Sequence, residues 1–262
     1  MRKAALITGA CINTGVDIVE KFAEEGYNVI FTGRKSDQVA VKEQEYKSAF
    51  PGVTVVGYAL GSICEDGTVD ETSVIKMFED IDKKGLFVET LVLNAADQGL
   101  GIKLFENPLS DFIRVLNTNV VWNYCLCEHA GRRMRNNGGG NIVFVNSNTA
   151  YRAIPDRVAY SASKGGQLGM MRAMALDLGK YNIRVNAVLP GMIRTDRWEK
   201  NPDFYKNVPS RYTPLGDVAT GRDVADAVWY FAAHARNTTG AELVVDGGNS
   251  AQLYPIVPKT DK

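Results

Sequence analysis

Histidine is almost absent from this chain. Among 262 residues only His129 and His234 occur. A three-histidine metal site is therefore excluded, and a Ser-His-Asp triad would have just two choices of base. Cysteine is scarce too. Four cysteines without paired spacing suit a reducing compartment and argue against a disulfide framework. Neither charge is in excess, because 30 Lys and Arg balance 30 Asp and Glu. Nucleic-acid and polyanion binders want a basic excess, so no nucleic-acid partner is expected. No apolar run approaches the ~20 residues that cross a bilayer, so no membrane partner is expected either. Met1-Arg2-Lys3 leads straight into an apolar run and a Gly loop, too short a lead for a signal peptide. The expected location is cytoplasmic, and no metal is expected.

The rest is an ordinary globular mixture, 45% hydrophobic and 23% charged. At this length a full core can form without cross-links. Strand candidates fall at residues 4–8, 28–32, 53–58, 90–94, 141–146, 184–189 and 242–246. Most are apolar on both faces, as strands covered by helices on both sides should be. Helix-like segments lie between them, at 14–25, 38–49, 71–84, 110–136, 157–179 and 222–234. In the first, Val16, Val19, Phe22 and Ala23 make one apolar stripe, and Gly26 offers a left-handed stop. The alternation predicts one α/β domain over 1–262. It would be a doubly wound parallel sheet of about seven strands, with helices on both faces and right-handed crossovers. Residues 61–70 are polar and irregular. Residues 192–214 form a long loop carrying Trp198, Phe204, Tyr205 and Tyr212, which reads as a substrate lid. A tail at about 251–262 is apolar and broken by proline.

The first strand runs into Thr8-Gly9-Ala10-Cys11-Ile12-Asn13-Thr14-Gly15, where a helix opens. Small residues let backbone approach a pyrophosphate, and free N–H groups with the helix dipole favour its charge. After the first strand of a βαβ unit, this turn reads as a dinucleotide site. The second strand ends at Thr32-Gly33 and is followed by Arg34 and Lys35. An acid here would hold a ribose 2′-hydroxyl; a guanidinium can fork onto a 2′-phosphate. NADP(H) is therefore favoured, with NAD(H) as the alternative.

Tyr160 and Lys164 are four apart in a helical segment, so they share a face. Tyrosine titrates near ~10 in water, and lowering that by ~3 units needs ~4 kcal/mol from a nearby, partly desolvated cation. By itself this spacing is common. Other features, however, come in order. Asn94-Ala95 ends the fourth strand, and Asn117 and Asn119 follow in the next helix. Ser147 stands just after the fifth strand, thirteen residues before Tyr160. Pro190-Gly191 and Thr195 come after the sixth, and Val245-Asp246-Gly247-Gly248 after the seventh. With this ordered set, over nearly its whole length, the chain resembles the short-chain dehydrogenase/reductases of the compact, single-domain branch, which have a Rossmann fold.

The resemblance implies roles position by position. Tyr160 would exchange the proton with a ketone or alcohol oxygen, and Ser147 would polarise that oxygen. Lys164 would lower the Tyr160 pKa and hold the nicotinamide ribose. Asn119 would hold a water that passes protons from Lys164 to solvent, with Asn117 the alternative. Gly9, Asn13, Thr14 and Gly15 would surround the pyrophosphate, with Asn94 and Ala95 along the adenosine. Pro190, Gly191, Ile193 and Thr195 would lie on the nicotinamide side. Thr149, Trp198, Phe204 and Tyr205 would line the substrate pocket and its lid. Relatives form dimers or tetramers through the two long helices, so a homo-oligomer is expected.

Some positions depart from the family pattern. Asn13 stands where the turn usually has its middle glycine, and Ala96 where the strand end usually has another. Ile12 stands where NADP-preferring relatives often carry a base. The acid that usually touches adenine after strand three is unclear, with Asp66 a weak candidate. Cys125 and Cys127 are two apart on a helix and face different sides, so they read as buried hydrophobes. Cys11, in the phosphate turn, is expected to be a mildly activated thiol. His129 and His234 read as structural. Arg152, Arg194, Arg197 and Arg211 flank the expected pocket.

The resulting expectation is an NADP(H)-dependent oxidoreductase interconverting a secondary alcohol and a ketone. The aromatic lid suits a bulky hydrophobic substrate such as a hydroxysteroid or bile acid. A 3-oxoacyl thioester or a sugar polyol is the alternative within the class. From another class, the alternative is a catalytically silent dinucleotide sensor or scaffold.

Overall fold

A computed structural model describes residues 1–206 and 211–254. Residues 207–210 of the expected lid and 255–262 of the expected tail lie outside the described residues, as do the side chains of Arg197, Glu199 and Phe204.

The apolar runs become seven strands: β1 (Arg2–Ile7), β2 (Asn28–Gly33), β3 (Val55–Ala59), β4 (Leu86–Leu93), β5 (Gly140–Val145), β6 (Ile183–Pro190) and β7 (Glu242–Val245). They form one sheet in the order β3-β2-β1-β4-β5-β6-β7. Every pairing is parallel. This is the doubly wound α/β architecture expected. β4 begins four residues earlier than the apolar pattern indicates. The register on β1 slips between Ala4 and Ala5, so that Glu89 falls between the paired Val88 and Thr90. Glu89 is held there by the Tyr27 hydroxyl at 2.9 Å and by Lys3. A charge inside the run had masked its first half.

The helices are α1 (Thr14–Glu24), α2 (Ser36–Ala49), α3 (Glu71–Lys83), α4 (Leu109–Leu116), α5 (Trp122–Asn136), α6 (Val158–Gly179), α7 (Asp196–Lys200), α8 (Pro202–Tyr205) and α9 (Gly221–Trp229). The α1 stripe is buried through Ile18, Val19, Phe22 and Ala23, and Gly26 takes φ +78° to end the turn. α1, α2 and α9 cover one face of the sheet around Phe22, Phe31 and Val228. α3, α5 and α6 cover the other around Phe78, Leu126 and Met171.

Two features have no signature in the periodicity. The expected helix 110–136 is interrupted by a π-helical turn, Asn117–Val121, between α4 and α5. Such turns mark functional positions in helices. Residues 61–70 form a small hairpin, with Ile63 bridged antiparallel to Val69 and Cys64 N–H donating to the Thr68 carbonyl at 2.8 Å. Asn117 Nδ2 donates to the Gly67 carbonyl at 2.9 Å, and Ser62 and Thr118 hydroxyls meet at 3.1 Å. The hairpin therefore braces the π turn.

β1 lies between β2 and β4, where the strand order reverses. In such sheets the crevice at the carboxyl ends of the strands takes the ligand. Thr8 fixes that crevice. Its buried hydroxyl accepts from the N–H groups of Asn94 and Ala95, both at 3.0 Å. Replacing it by the isosteric valine strands two N–H groups. Thr8→Val is expected to lower stability by about 2–4 kcal/mol in urea unfolding. An unchanged midpoint would contradict this clamp.

Candidate active site

The glycine turn is built by close approach. A Cβ on Gly9 would lie 2.9 Å from the Ala95 Cα, and one on Gly15 would lie 2.4 Å from the Gly9 carbonyl oxygen. Asn94 Nδ2 ties the turn down by donating to the Thr8 and Gly9 carbonyls at 3.0 and 3.1 Å. Asn13 has φ 50° and ψ −143°. The positive φ is as expected, but the ψ belongs to a region open almost only to glycine. Thr14 and Gly15 open α1, whose first N–H groups suit a diphosphate.

Arg34 and Lys35 follow β2 on the exposed rim, with no ion pair or side-chain hydrogen bond among the described residues. Asp66, the weak candidate for the adenine contact, stands exposed in the 61–70 hairpin. Its carboxylate accepts from the Thr68 N–H at 2.9 Å and hydroxyl at 2.6 Å, inside its own hairpin. Cys11 also differs from expectation. It is buried against Gly33, and burial pushes its thiol up rather than down.

Ser147 stands at the end of β5, and Tyr160 and Lys164 share a face of α6. The Ser147 side chain lies beside Tyr160 and acts to lower its pKa. Burial raises the Tyr160 pKa, with Ser147 and Arg157 pulling against it. That differs from the expectation that Lys164 sets a lowered value. The reason is the tyrosine's own burial, and the lysine is buried with it. Lys164 is 1% exposed, and desolvation brings its ammonium down to about 7. Its Nζ lies 5.6 Å from the Tyr160 ring centre. It donates to the Val145 carbonyl at 3.0 Å and to Gln167 Oε1 at 3.2 Å.

Of the two candidate asparagines, Asn119 is the one at the site, while Asn117 faces the hairpin. Asn119 is fully buried in the π turn. Its side chain donates to the Asp97 carbonyl at 2.8 Å and the Ser163 hydroxyl at 2.9 Å. Its Oδ1 accepts from the Asp97 N–H at 2.7 Å.

On the other wall, Pro190 ends β6, and Gly191 donates its N–H to the Val245 carbonyl at 3.0 Å. A Cβ on Gly191 would meet that of Asp246 at 2.6 Å. Ile193 bridges Ala219, and Thr195 precedes α7. Thr149 is buried two residues from Ser147, with its hydroxyl unpartnered. In the 192–214 segment, Trp198 stacks on Tyr205 with ring centres 4.3 Å apart. Arg194 pairs with Asp217 at 2.7 Å, and Arg152 donates to the Ser250 carbonyl at 2.6 Å, so both are held on the surface.

The motifs did not single out Gln167, Asn146, Asp97 or Arg157. Gln167 carried one usable signal, a polar side chain three residues after Lys164 on a buried helix face. Cys125, four residues before His129 on α5, meets it and Glu71, with ligand atoms within 4.8 Å of one another. Burial and neighbouring carboxylates push the Cys125 thiol up to about 11.

A parallel sheet with a glycine turn after β1 and Ser147, Tyr160 and Lys164 in one crevice defines a dinucleotide-dependent oxidoreductase acting on CH–OH groups. A family model described as enoyl-(acyl carrier protein) reductase matches residues 9–250. An uncharacterized oxidoreductase of Thermotoga maritima is 31% identical over 258 residues, 96% of this chain and 97% of that protein. An NADP-dependent (R)-specific alcohol dehydrogenase of Lentilactobacillus kefiri is 31% identical over 255 residues, 95% and 97% of the two chains. Among solved structures, a 7α-hydroxysteroid dehydrogenase complexed with NADH and 7-oxo glycochenodeoxycholic acid matches with a TM-score of 0.82. It is 30% identical, over 94% of each chain. The chain belongs to the short-chain dehydrogenase/reductase family.

A non-glycine residue in the Asn13 conformation costs about 1–3 kcal/mol. Asn13→Gly is therefore expected to raise the thermal midpoint, by about 1 kcal/mol of stability after the added chain entropy. A lower midpoint would contradict the strain.

Proposed function

We propose that the protein is an NADP(H)-dependent oxidoreductase interconverting a secondary alcohol and a ketone. The observation that carries this is the buried Lys164 on the same helix face as Tyr160, with Ser147 beside the tyrosine. Reduction builds negative charge on the carbonyl oxygen. Ser147 and Tyr160 present two fixed donors to it, and Tyr160 gives up its proton. The phenolate left behind is stabilised by the Lys164 ammonium; in alcohol oxidation the same phenolate is the base. The dinucleotide supplies or accepts the hydride. Lys164 also holds the ribose hydroxyls beside the nicotinamide, and Pro190, Gly191, Ile193 and Thr195 back its ring. Gly9, Asn13, Thr14 and Gly15 receive the pyrophosphate, and the main chain at Asn94 and Ala95 follows the adenosine.

Arg34 and Lys35 support the choice of NADP(H). They are exposed beside the turn and uncommitted among the described residues. The Lentilactobacillus relative is NADP-dependent, whereas the hydroxysteroid dehydrogenase structure holds NADH, so the choice rests on these two cations. Residues 192–214 act as the lid. The Trp198–Tyr205 stack gives it an apolar aromatic surface, and Thr149 offers an unpartnered hydroxyl beside Ser147. A bulky hydrophobic ketone fits that combination, and the 7-oxo bile acid in the hydroxysteroid enzyme is a molecule of this kind. Exposed Leu104, Phe105, Leu109, Tyr124 and Leu176 support a homo-oligomer. Free thiols at all four cysteines suit the cytoplasm. No helix among the described residues is long and apolar enough to cross a membrane.

Absorbance loss from NADPH mixed with a panel of ketones tests the reading. Tyr160→Phe is expected to lower kcat by at least ~100-fold, with cofactor affinity kept within a few-fold. Turnover retained by that variant would contradict the assignment. Arg34→Asp is expected to shift the NADP(H) to NAD(H) preference by about tenfold or more towards NAD(H), as loss of a charge-assisted phosphate contact would. An unchanged ratio would remove Arg34 from the cofactor site.

A further inference from the structure

We propose that Gln167 is a positioning residue whose side-chain amide stands where the family resemblance places a relay water, bridging the Lys164 ammonium to the main-chain carbonyl of Asn119. For the consequence at Tyr160 this rests on the oxidoreductase reading above. The bridge itself does not.

Gln167 is fully buried. Its Oε1 accepts from Lys164 Nζ at 3.2 Å and from Asn146 Nδ2 at 3.0 Å. Its Nε2 donates to the Asn119 carbonyl at 2.6 Å. Asn146 in turn donates to the Lys164 carbonyl at 3.0 Å, and its Oδ1 accepts from the Ser147 N–H at 2.7 Å. One amide thus connects Lys164, Asn119 and the backbone of Ser147.

The donor and acceptor inventory leaves no lone pair on the Asn119 carbonyl for a water. A carbonyl oxygen has two lone pairs. That of Asn119 accepts from Gln167 and from Asn123 Nδ2 at 2.9 Å, so both are taken. Both Asn119 Nδ2 donors are also taken, by the Asp97 carbonyl and the Ser163 hydroxyl, and its Oδ1 accepts from the Asp97 N–H. Lys164 has three N–H donors. Two are spent on Val145 and Gln167, and one remains for the Tyr160 side of the crevice. An amide can hold a cation in place but does not hand a proton on as water does. Lys164 is therefore fixed in position by Gln167, and Tyr160 exchanges its proton through the open crevice. The charged groups around the pair are few. Arg157 precedes α6 and acts on Tyr160. Asp97, behind Asn119, is paired with Arg114. Val145, Asn146 and Ser147 bring no charge from β5.

Gln167→Met and Gln167→Ala separate this role from packing. Methionine keeps the volume but removes the acceptor and excludes water. The Lys164 ammonium loses a partner and supports the phenolate less well. The ionisation midpoint of Tyr160, read by ultraviolet difference absorbance against Tyr160→Phe, is expected to rise by about one unit. The limb of the alcohol-oxidation pH profile is expected to move with it, about tenfold in rate below the limb. Alanine opens a polar space facing Lys164, Asn119 and Asn146, which a water can fill. Gln167→Ala is then expected to recover most of the shift and to gain a solvent isotope effect on kcat. A packing residue gives the opposite order, with methionine close to wild type and alanine impaired. That order, or an unmoved midpoint in Gln167→Met, overturns the proposal. Because the midpoint needs no turnover, the two readings fail separately. A shifted midpoint in a protein that reduces no ketone sinks the oxidoreductase reading and keeps the bridge. Turnover with an unmoved midpoint does the reverse.

Discussion

A lysine buried without a carboxylate beside it sets the terms for half of this molecule. Isolated ammonium groups are expensive to bury, and proteins tolerate them only when every donor is met or the charge is given up. Lys164 shows part of each response, with two of its three donors met by carbonyl-type acceptors and an ammonium brought down to about 7. The acceptors come from separate elements. Val145 ends β5, and Gln167 lies one turn along α6, steadied by Asn119 in the π turn. The sheet order brings these elements together, since β5 pairs β4 and β6 while α6 packs over β6. The hairpin at 61–70 braces the same π turn from outside. Stability is spent here to hold a charge close to a phenol, which is the arrangement a proton-transferring tyrosine needs.

The first half of the sheet answers a different constraint, close approach of backbone to backbone in the glycine turn. Gly9 and Gly15 are dictated by neighbours that leave no room for a Cβ, and Thr8 and Asn94 fasten β1 to β4 around them. Asn13 is the one strained position in that turn. The two halves meet where the strand order reverses. In the proposed function the cofactor's two ends fall to different machinery, its phosphates to the glycine turn and its nicotinamide to the Lys164 side of the crevice.

Much of this was legible in the residue order. Alternating apolar and amphipathic segments are a local property, so six of seven strands were located within two residues at each end. β4 was truncated because Glu89 interrupts the apolar run, and only the register slip explains its place. The π turn could not be foreseen, since its periodicity barely differs from that of the α-helix over five residues. Ser147, Tyr160 and Lys164 were legible because spacing and order carry their geometry. Their electrostatics were not. Whether Tyr160 is pushed up or down depends on desolvation by elements distant in the chain. The same holds for Cys11, where packing against Gly33 outweighs the helix N-terminus. Gln167 escaped because a buried amide acquires meaning only when its partners from β5 and the π turn are in place.

A crystal structure with oxidised cofactor and an unreduced ketone tests the central claim most directly. It should place the carbonyl oxygen within hydrogen-bonding distance of both Ser147 Oγ and Tyr160 Oη, with the remaining Lys164 N–H turned to the ribose beside the nicotinamide. A carbonyl oxygen outside reach of Tyr160, or a nicotinamide bound away from the Ser147–Lys164 crevice, would contradict it.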